Sequence, residues 1–424
     1  MKISFLISAF KIRDLRKKIL FILFIFLIFR LLANIPIPGV EKENLKKFFE
    51  QFKTFGLLNI FTGGALEKVS IAMLGLGPYI TAIIILQVLT LVFPSLEKMY
   101  KEGGREGREK FEQYGRILTI PLSFLQGLGM ISLFKRQGIL PEMDVLTILS
   151  SLFTVTAGTV FLMWLGELIS EKGLGNGVSL LIFAGIAAEF PTSLKALVSG
   201  FSPERFLSYL LFLVMVLVII TGVVFINESR RKIPISYSKR VRGMRLFGGV
   251  STYLPLSINP AGVIPIIFAI SFLTFPPMIA NFFSHRGGII GSLASQTVII
   301  FENPLWHSVI YFILVVAFAY FYTFIVFDPK SVSQNLQKFG GFIPGIRPGR
   351  PTANYISFVL NRVLVLGSLF LGLIAIMPTI VQSITKIGAF TFLVGGTSVL
   401  ILVSVILETI KQLKAELEMR EYEV

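Results

Sequence analysis

Over 424 residues the chain is 54% hydrophobic and only 15% charged, with a formal charge of +16 and no cysteine; its mean hydropathy is +0.78. A soluble protein of this size could not bury so much apolar surface, whereas a bilayer supplies an apolar solvent. The absence of cysteine excludes disulfides and thiolate metal sites.

The predicted elements, in chain order, are spans at 19–33, 71–93, 114–134, 145–168, 176–190, 206–227, 259–283, 305–327, 361–381 and 389–411. Each holds the run of apolar residues that a membrane helix requires. The first apolar run, Ile19 to Leu32, ends at Asn34-Ile35-Pro36-Ile37-Pro38-Gly39 without a small-residue cleavage pattern, so it reads as a retained helix. The second opens with Gly75, Gly77 and Pro78, which predicts a broken helix start. Directly before it, Asn59-Ile60-Phe61-Thr62-Gly63-Gly64-Ala65-Leu66 is too polar for lipid and too apolar for an ordinary loop. Irregular backbone at membrane depth is tolerated only where protein or a water-filled cavity surrounds it. The segment therefore reads as a movable piece inside a cavity, or else as a surface or re-entrant stretch. Gly173-Leu174-Gly175-Asn176-Gly177 reads as a cytoplasmic link or a tight turn between two helices.

A polar segment, 191–205, divides the spans five and five, between an N-terminal half at 1–190 and a C-terminal half at 206–411. An odd number of spans in each half gives the halves opposite orientations, as in inverted-repeat transport proteins. Lys and Arg concentrate on the side of the two termini. By the positive-inside rule both ends are then cytoplasmic, including the tail 412–424. Two long loops on that side, 228–258 and 328–362, carry most of the bias. They serve either as topology determinants beside anionic lipids or as docking sites for an acidic or RNA-containing partner.

The chemistry that is missing narrows the function. Arg30 and Glu167 lie near span ends, where snorkelling accounts for them. No mid-membrane carboxylate suits an ion-coupled carrier. His285 and His307 fall at the outer edge of two spans and do not make an intramembrane hydrolase. No phosphate loop of the form G-x-x-x-x-G-K-[ST] occurs, so direct nucleotide binding is not expected, nor is enzymatic activity or a cofactor. Scattered polar groups within spans, Gln87, Gln126, Asn259 and Ser271, suit ordinary interhelical hydrogen bonds or an interface that opens.

Seven segments in order carry a family resemblance: NIPIPGV (34–40), NIFTGGAL (59–66), GPYITAIIILQ (77–87), MWLGELISEKGLGNGVSLLIFAGI (163–186), STYLPLSINPAGVIPIIFA (251–269), GGFIPGIRPGRPTANY (340–355) and GGTSVLI (395–401). On these the chain resembles the SecY/Sec-alpha translocon subunits, and particularly their bacterial members. The resemblance implies an all-α polytopic fold of ten transmembrane helices, in two inverted five-helix halves around a central pore. It implies a plug at about 59–70 and a closing ring at Ile80, Ile182, Ile267 and Ile401, with Leu76 and Ile84 nearby. Leu76 stands where relatives often have Ile. A lateral gate is implied between the second and seventh helices, with Thr81, Gln87, Ser271 and Phe275, and with Gln126 and Asn259 as a polar cluster. Signal sequences and nascent chains are the implied clients. The two basic loops match those that contact the SecA motor and the ribosome. Arg347 is the expected coupling residue, supported by Lys239, Arg240, Arg242, Arg245 and Arg350. SecE as a clamp, SecG, and a bacterial cytoplasmic membrane location are further implications. The tail after Lys414 is short and acidic where many relatives have a longer basic one, which argues against partner contact through it. The alternative is an inverted-repeat secondary transporter.

Overall fold

The protein is described from a computed structural model. Described residues are 12–37, 59, 62–101, 103–136, 138–140, 144–199, 203, 206–237, 240–242, 245–247, 251–283, 288–385 and 396–421. In chain order the helices are α1 (Arg13–Ala33), α2 (Gly77–Val92), α3 (Pro94–Lys101), α4 (Gly104–Arg136), α5 (Val145–Lys172), α6 (Gly177–Ser199) and α7 (Phe206–Glu228). Four strands follow: β1 (Arg230–Tyr237), β2 (Arg240–Arg242), β3 (Arg245–Phe247) and β4 (Ser251–Ser257). Then come α8 (Ile264–Phe283), α9 (Ile289–Glu302), α10 (Pro304–Val326), α11 (Pro329–Lys338), β5 (Gly341–Phe342), α12 (Arg350–Thr385) and α13 (Gly396–Glu421).

Each predicted span overlaps one of these helices, with 389–395 of the tenth lying outside the described residues, and the chain is a multi-pass, all-α membrane protein. Among the described residues six helices are individually long and apolar enough to cross a membrane; α2 and α3 pass together, bent by 113°. Pro94 makes that bend, because the residue before a proline is held extended, and Phe93 has φ −107 and ψ 103. Helix starts follow ordinary capping chemistry. The side chain of Asp144 accepts from Val145 N at 2.8 Å, and Asn303 accepts from Leu305 N at 3.0 Å ahead of Pro304.

The structure moves several expected boundaries. The second span starts at Gly77, with 62–76 forming successive turns. The segment expected as a loop from 191 is helical to Ser199, since α6 continues through Pro191. The tail is no separate unit, because α13 continues to Glu421.

The largest core draws on α1, α2, α5, α6, α7, α8, α10, α12 and α13. The chain's two halves meet along two seams. At one, α8 packs on α2 and α4; at the other, α13 packs on α6. The second seam is closed by Leu413 and Leu417, which share the buried core with Leu15, and by Lys18 Nζ, 2.6 Å from Glu416 Oε1. The acidic tail thus has a binding role inside the molecule, on α1.

The Gly173–Gly177 link is a tight turn. Gly177 N donates to Ser170 Oγ at 2.9 Å, and Asn176 Oδ1 accepts from Ser179 N at 3.0 Å. A Cβ on Gly177 would overlap the Gly166 carbonyl, so α5 and α6 approach closely only because position 177 has no side chain. Gly177→Ala is expected to cost about 1–3 kcal/mol, read as a lowered thermal midpoint in detergent. Gly127→Ala, whose Cβ would meet Leu152 at an ordinary 3.4 Å, is the near-neutral control.

The two basic loops, read separately from sequence, form one body. β1 pairs antiparallel with β4, in a register that sets Ile233 opposite Leu254, and with β5, where Ser236 faces Phe342. Ile233 and Ile235 alternate inward along β1, as a sheet with one covered face requires. Ile233, Leu256, Ile343 and Ile356 make a separate small core beneath it.

Candidate pore, plug and gate

Chain geometry sets the segment expected as a plug in place. Ile37 N donates to Val69 O at 2.9 Å and Ile71 N donates to Ile35 O at 3.1 Å, with Pro36 bridged to Ser70 between them. Pro36 occupies the position that needs no N–H, which explains a proline in this short pairing. The pairing ties the end of 62–70 to the segment that follows α1. Asn59 organises the start: its Nδ2 donates to Glu67 Oε2 at 2.9 Å and its Oδ1 accepts from Glu67 N at 2.8 Å. Thr62 Oγ1 donates to Asn59 O at 3.0 Å and accepts from Leu66 N at 3.3 Å.

Asn59, Thr62, Ala65, Leu66, Val69, Ser70, Ala72 and Met73 are buried. The segment is therefore irregular backbone enclosed by protein, and a surface placement is ruled out. Gly63 and Gly64 have φ of +65 and +78. A Cβ on Gly63 would lie 3.0 Å from Gly185 Cα, so these glycines let the turn press against α6. Ile60 and Phe61 lie outside the described residues.

The six ring positions come together from distant stretches of chain. Leu76, Ile80, Ile84, Ile182, Ile267 and Ile401 are all buried members of one hydrophobic cluster. Leu76, Ile80, Ile182 and Ile267 also line a cavity of about 60 Å³ with Thr62 of the plug segment, Gly77 and Ser271. Residues expected for the plug and ring, with α2 and α8, thus meet around one small, mostly apolar space. Gly75, at φ +54, breaks the chain just before α2 and sits against Thr62.

At the expected gate, α2 and α8 are in contact. Thr81 is buried and donates to Gly77 O at 2.9 Å, and Gln87 is buried with Oε1 lacking a hydrogen-bond partner among the described residues. The side chain of Phe275 lies outside what the structure describes. One expectation fails here. Asn259 does not cluster with Gln126: its Nδ2 donates to Asn227 Oδ1 at 3.1 Å and to Gly262 O at 2.9 Å. Asn227 Nδ2 in turn donates to Ser404 Oγ at 2.6 Å, which ties α7 to α13. Asn259 thus braces the start of α8 within the C-terminal half, while Gln126 faces Gly77, 3.9 Å from where a Cβ there would lie. The two charged residues near span ends also have partners inside the fold. Arg116 Nη1 pairs with Glu167 Oε2 at 2.9 Å, and Arg30 Nη1 donates to Gly63 O at 2.6 Å.

On the basic body, Arg347 and Arg350 are exposed. Around Arg347 the backbone is well held: Gly345 and Gly349 take φ of +82 and +96, and Thr352 Oγ1 donates to Arg347 O at 2.9 Å. Ile346 packs on the small core, so the tip is anchored while its guanidinium points outward. Arg240, Arg242 and Arg245 belong to β2 and β3, and their side chains are not described; Lys239 is outside the described residues.

A family model described as SecY matches residues 70–410. The protein translocase subunit SecY of Streptomyces coelicolor is 44% identical over 431 residues, covering 98% of both chains. That of Corynebacterium glutamicum is 43% identical over 99% of both, and that of Mycobacterium tuberculosis 40% identical over 99% of both. Among solved structures, a protein-conducting channel superposes with a TM-score of 0.65 at 19% identity, covering 93% of this chain and 91% of its own. Canine Sec61 from a ribosome–channel complex gives 0.62 at 19%, with coverage of 93% and 91%. With a family model spanning most of its length and relatives at 40–44% identity over 98–99% of it, the chain belongs to the SecY family of protein translocase subunits.

Proposed function

We infer that the chain is the pore-forming subunit of a protein translocation channel, which passes unfolded polypeptides across a membrane and releases apolar segments sideways into lipid. The observation that carries this reading is the shared cavity: plug, aliphatic ring and gate residues border one space that a moving chain would have to cross. A ring of aliphatic side chains gates by dewetting and yields around a passing chain without binding it specifically. A client helix is recognised through hydrophobicity alone, since each buried methylene contributes about 0.8 kcal/mol on entering lipid.

In this reading the membrane is the bacterial cytoplasmic membrane, with both termini and the basic body inside. Plug residues 59–70 move aside, and 200–205 links the two halves on the far side. Arg347 and Arg350, with Lys239, Arg240, Arg242 and Arg245, receive the SecA motor or the ribosome, SecE clamps the halves, and SecG joins them. No residue has a catalytic role, and energy comes from the partner. A secondary transporter would need a buried ion or substrate site; the polar groups around the cavity, Thr62 and Ser271, are uncharged and do not supply one.

The gate is tested by pairing Thr81→Cys with Phe275→Cys in this cysteine-free background and closing the pair by oxidation or a short bifunctional maleimide. Translocation of a secretory precursor into vesicles holding the complex and SecA is expected to stop, and with the disulfide to resume on reduction. A closed crosslink with unimpaired translocation would remove the gate from between α2 and α8.

A further inference from the structure

The plug is held by more than its fit. Near the end of α1, Arg30 Nη1 donates to the Gly63 carbonyl at 2.6 Å and lies 3.5 Å from Glu189 Oε1 on α6. The single proton of Thr192 Oγ1 is shared between the Glu189 carbonyl at 2.7 Å and the other carboxylate oxygen of Glu189 at 3.0 Å. Glu189 also abuts the plug backbone directly, since a Cβ on Gly64 would run into its Oε1. A guanidinium from one helix and a carboxylate from another therefore grip one Gly-Gly turn. The opposite end of the plug is tied down by the pairing of 35–37 with 69–71, and Val69 there is fully buried with φ +44. A buried β-branched residue in the left-handed region is uncommon and strained, as is typical of segments that switch. The plug thus has a fixed base and a polar catch at its tip.

We propose that Arg30, backed by Glu189, is the positioning residue that latches the plug at Gly63, and that channel opening requires this contact to be exchanged for water. Among the described residues one hydrogen bond from outside the segment holds the tip, and one ion pair orients its donor, so water reaching the tip weakens both by raising the local dielectric. Among the described residues the segment's other hydrogen bonds lie at its base or within it. This inference rests on reading 59–70 as a plug.

The test uses Thr62→Cys in the full complex with SecE and measures its labelling by a membrane-impermeant maleimide. Arg30→Ala is expected to raise the labelling rate about tenfold or more, the scale set by losing a charge-assisted hydrogen bond. Glu189→Gln, which spares the donor to Gly63, is expected to raise it by a smaller factor. Arg30→Lys, which keeps a charged donor on a shorter reach, should fall between Arg30→Ala and the parent. Unchanged labelling in an assembled Arg30→Ala complex would overturn the latch, as would a lowered thermal midpoint without faster labelling. Should Arg30→Ala fail to assemble, Arg30→Lys and Glu189→Gln take its place, and unchanged labelling in both overturns the latch. A translocating chain stalled in the parent complex separates the two ideas. If Thr62→Cys labelling responds to it but not to Arg30→Ala, only the latch fails; if it responds to neither, the plug reading itself fails.

Discussion

Replacing Ile80, Ile182, Ile267 and Ile401 together with Gly is expected to raise the resting ion conductance of the reconstituted complex by on the order of tenfold or more. All four side chains are buried in one cluster, and three of them wall the cavity beneath the plug. The lining is mostly aliphatic, so water finds few polar partners there. Removing the side chains enlarges the space and uncovers backbone carbonyls, so that water and then ions can enter. Each truncation also costs roughly 2–5 kcal/mol of packing, so a graded Ile→Val series is the companion measurement. It preserves the fold, at roughly 0.5–1.5 kcal/mol per site, and is expected to leave conductance near the parent value. Planar-bilayer recordings decide the matter, and an unchanged resting conductance in the assembled Gly variant would remove these residues from the seal.

Arg347→Glu is the second large effect. It is expected to reduce SecA-driven export into proteoliposomes by about tenfold or more, with assembly and thermal midpoint unchanged. The side chain is exposed and only the backbone carbonyl of Arg347 is used internally, so reversal of charge leaves the tip's scaffold intact. Gly345, Gly349 and Ile346 hold that scaffold independently of the guanidinium. A reversed charge at a docking surface slows association and alters its salt dependence. Normal export by the variant at physiological salt would move the coupling site elsewhere.

Helix positions were legible in the sequence because apolar runs of membrane length have few alternative structures. The cavity was not: from residue chemistry alone, Ile80, Ile182 and Ile267 are indistinguishable from lipid-facing or core isoleucines. Their roles came from the family resemblance, and the cavity they share came from the fold. Pairings across long separations were also hidden. Arg30 and Gly63 are 33 residues apart, Arg116 and Glu167 are 51, and Asn227 and Ser404 are 177. Snorkelling was the economical account of Arg30 and Glu167 until the fold supplied partners for them. Likewise β1 is strand-like in pattern, but its partners β4 and β5 come from different loops, and short basic strands between membrane helices carry little local signal. Helix α6 outran its expected end because hydrogen bonds freed by Pro191 near a helix end cost little in a polar setting.

The sheet of β4, β1 and β5 has one more implication. β1 follows directly from α7, and β4 leads into α8 through Asn259, while β5, just ahead of Arg347 in the chain, is paired to β1. The sheet therefore links the segment that carries Arg347 to the start of α8. If a motor pressing on that segment favours separation of α8 from α2 by a given factor, thermodynamic linkage requires the converse. An apolar segment wedged between α2 and α8 must tighten the motor's grip on Arg347 by that same factor, so the channel would report the arrival of its client to the machine that delivers it.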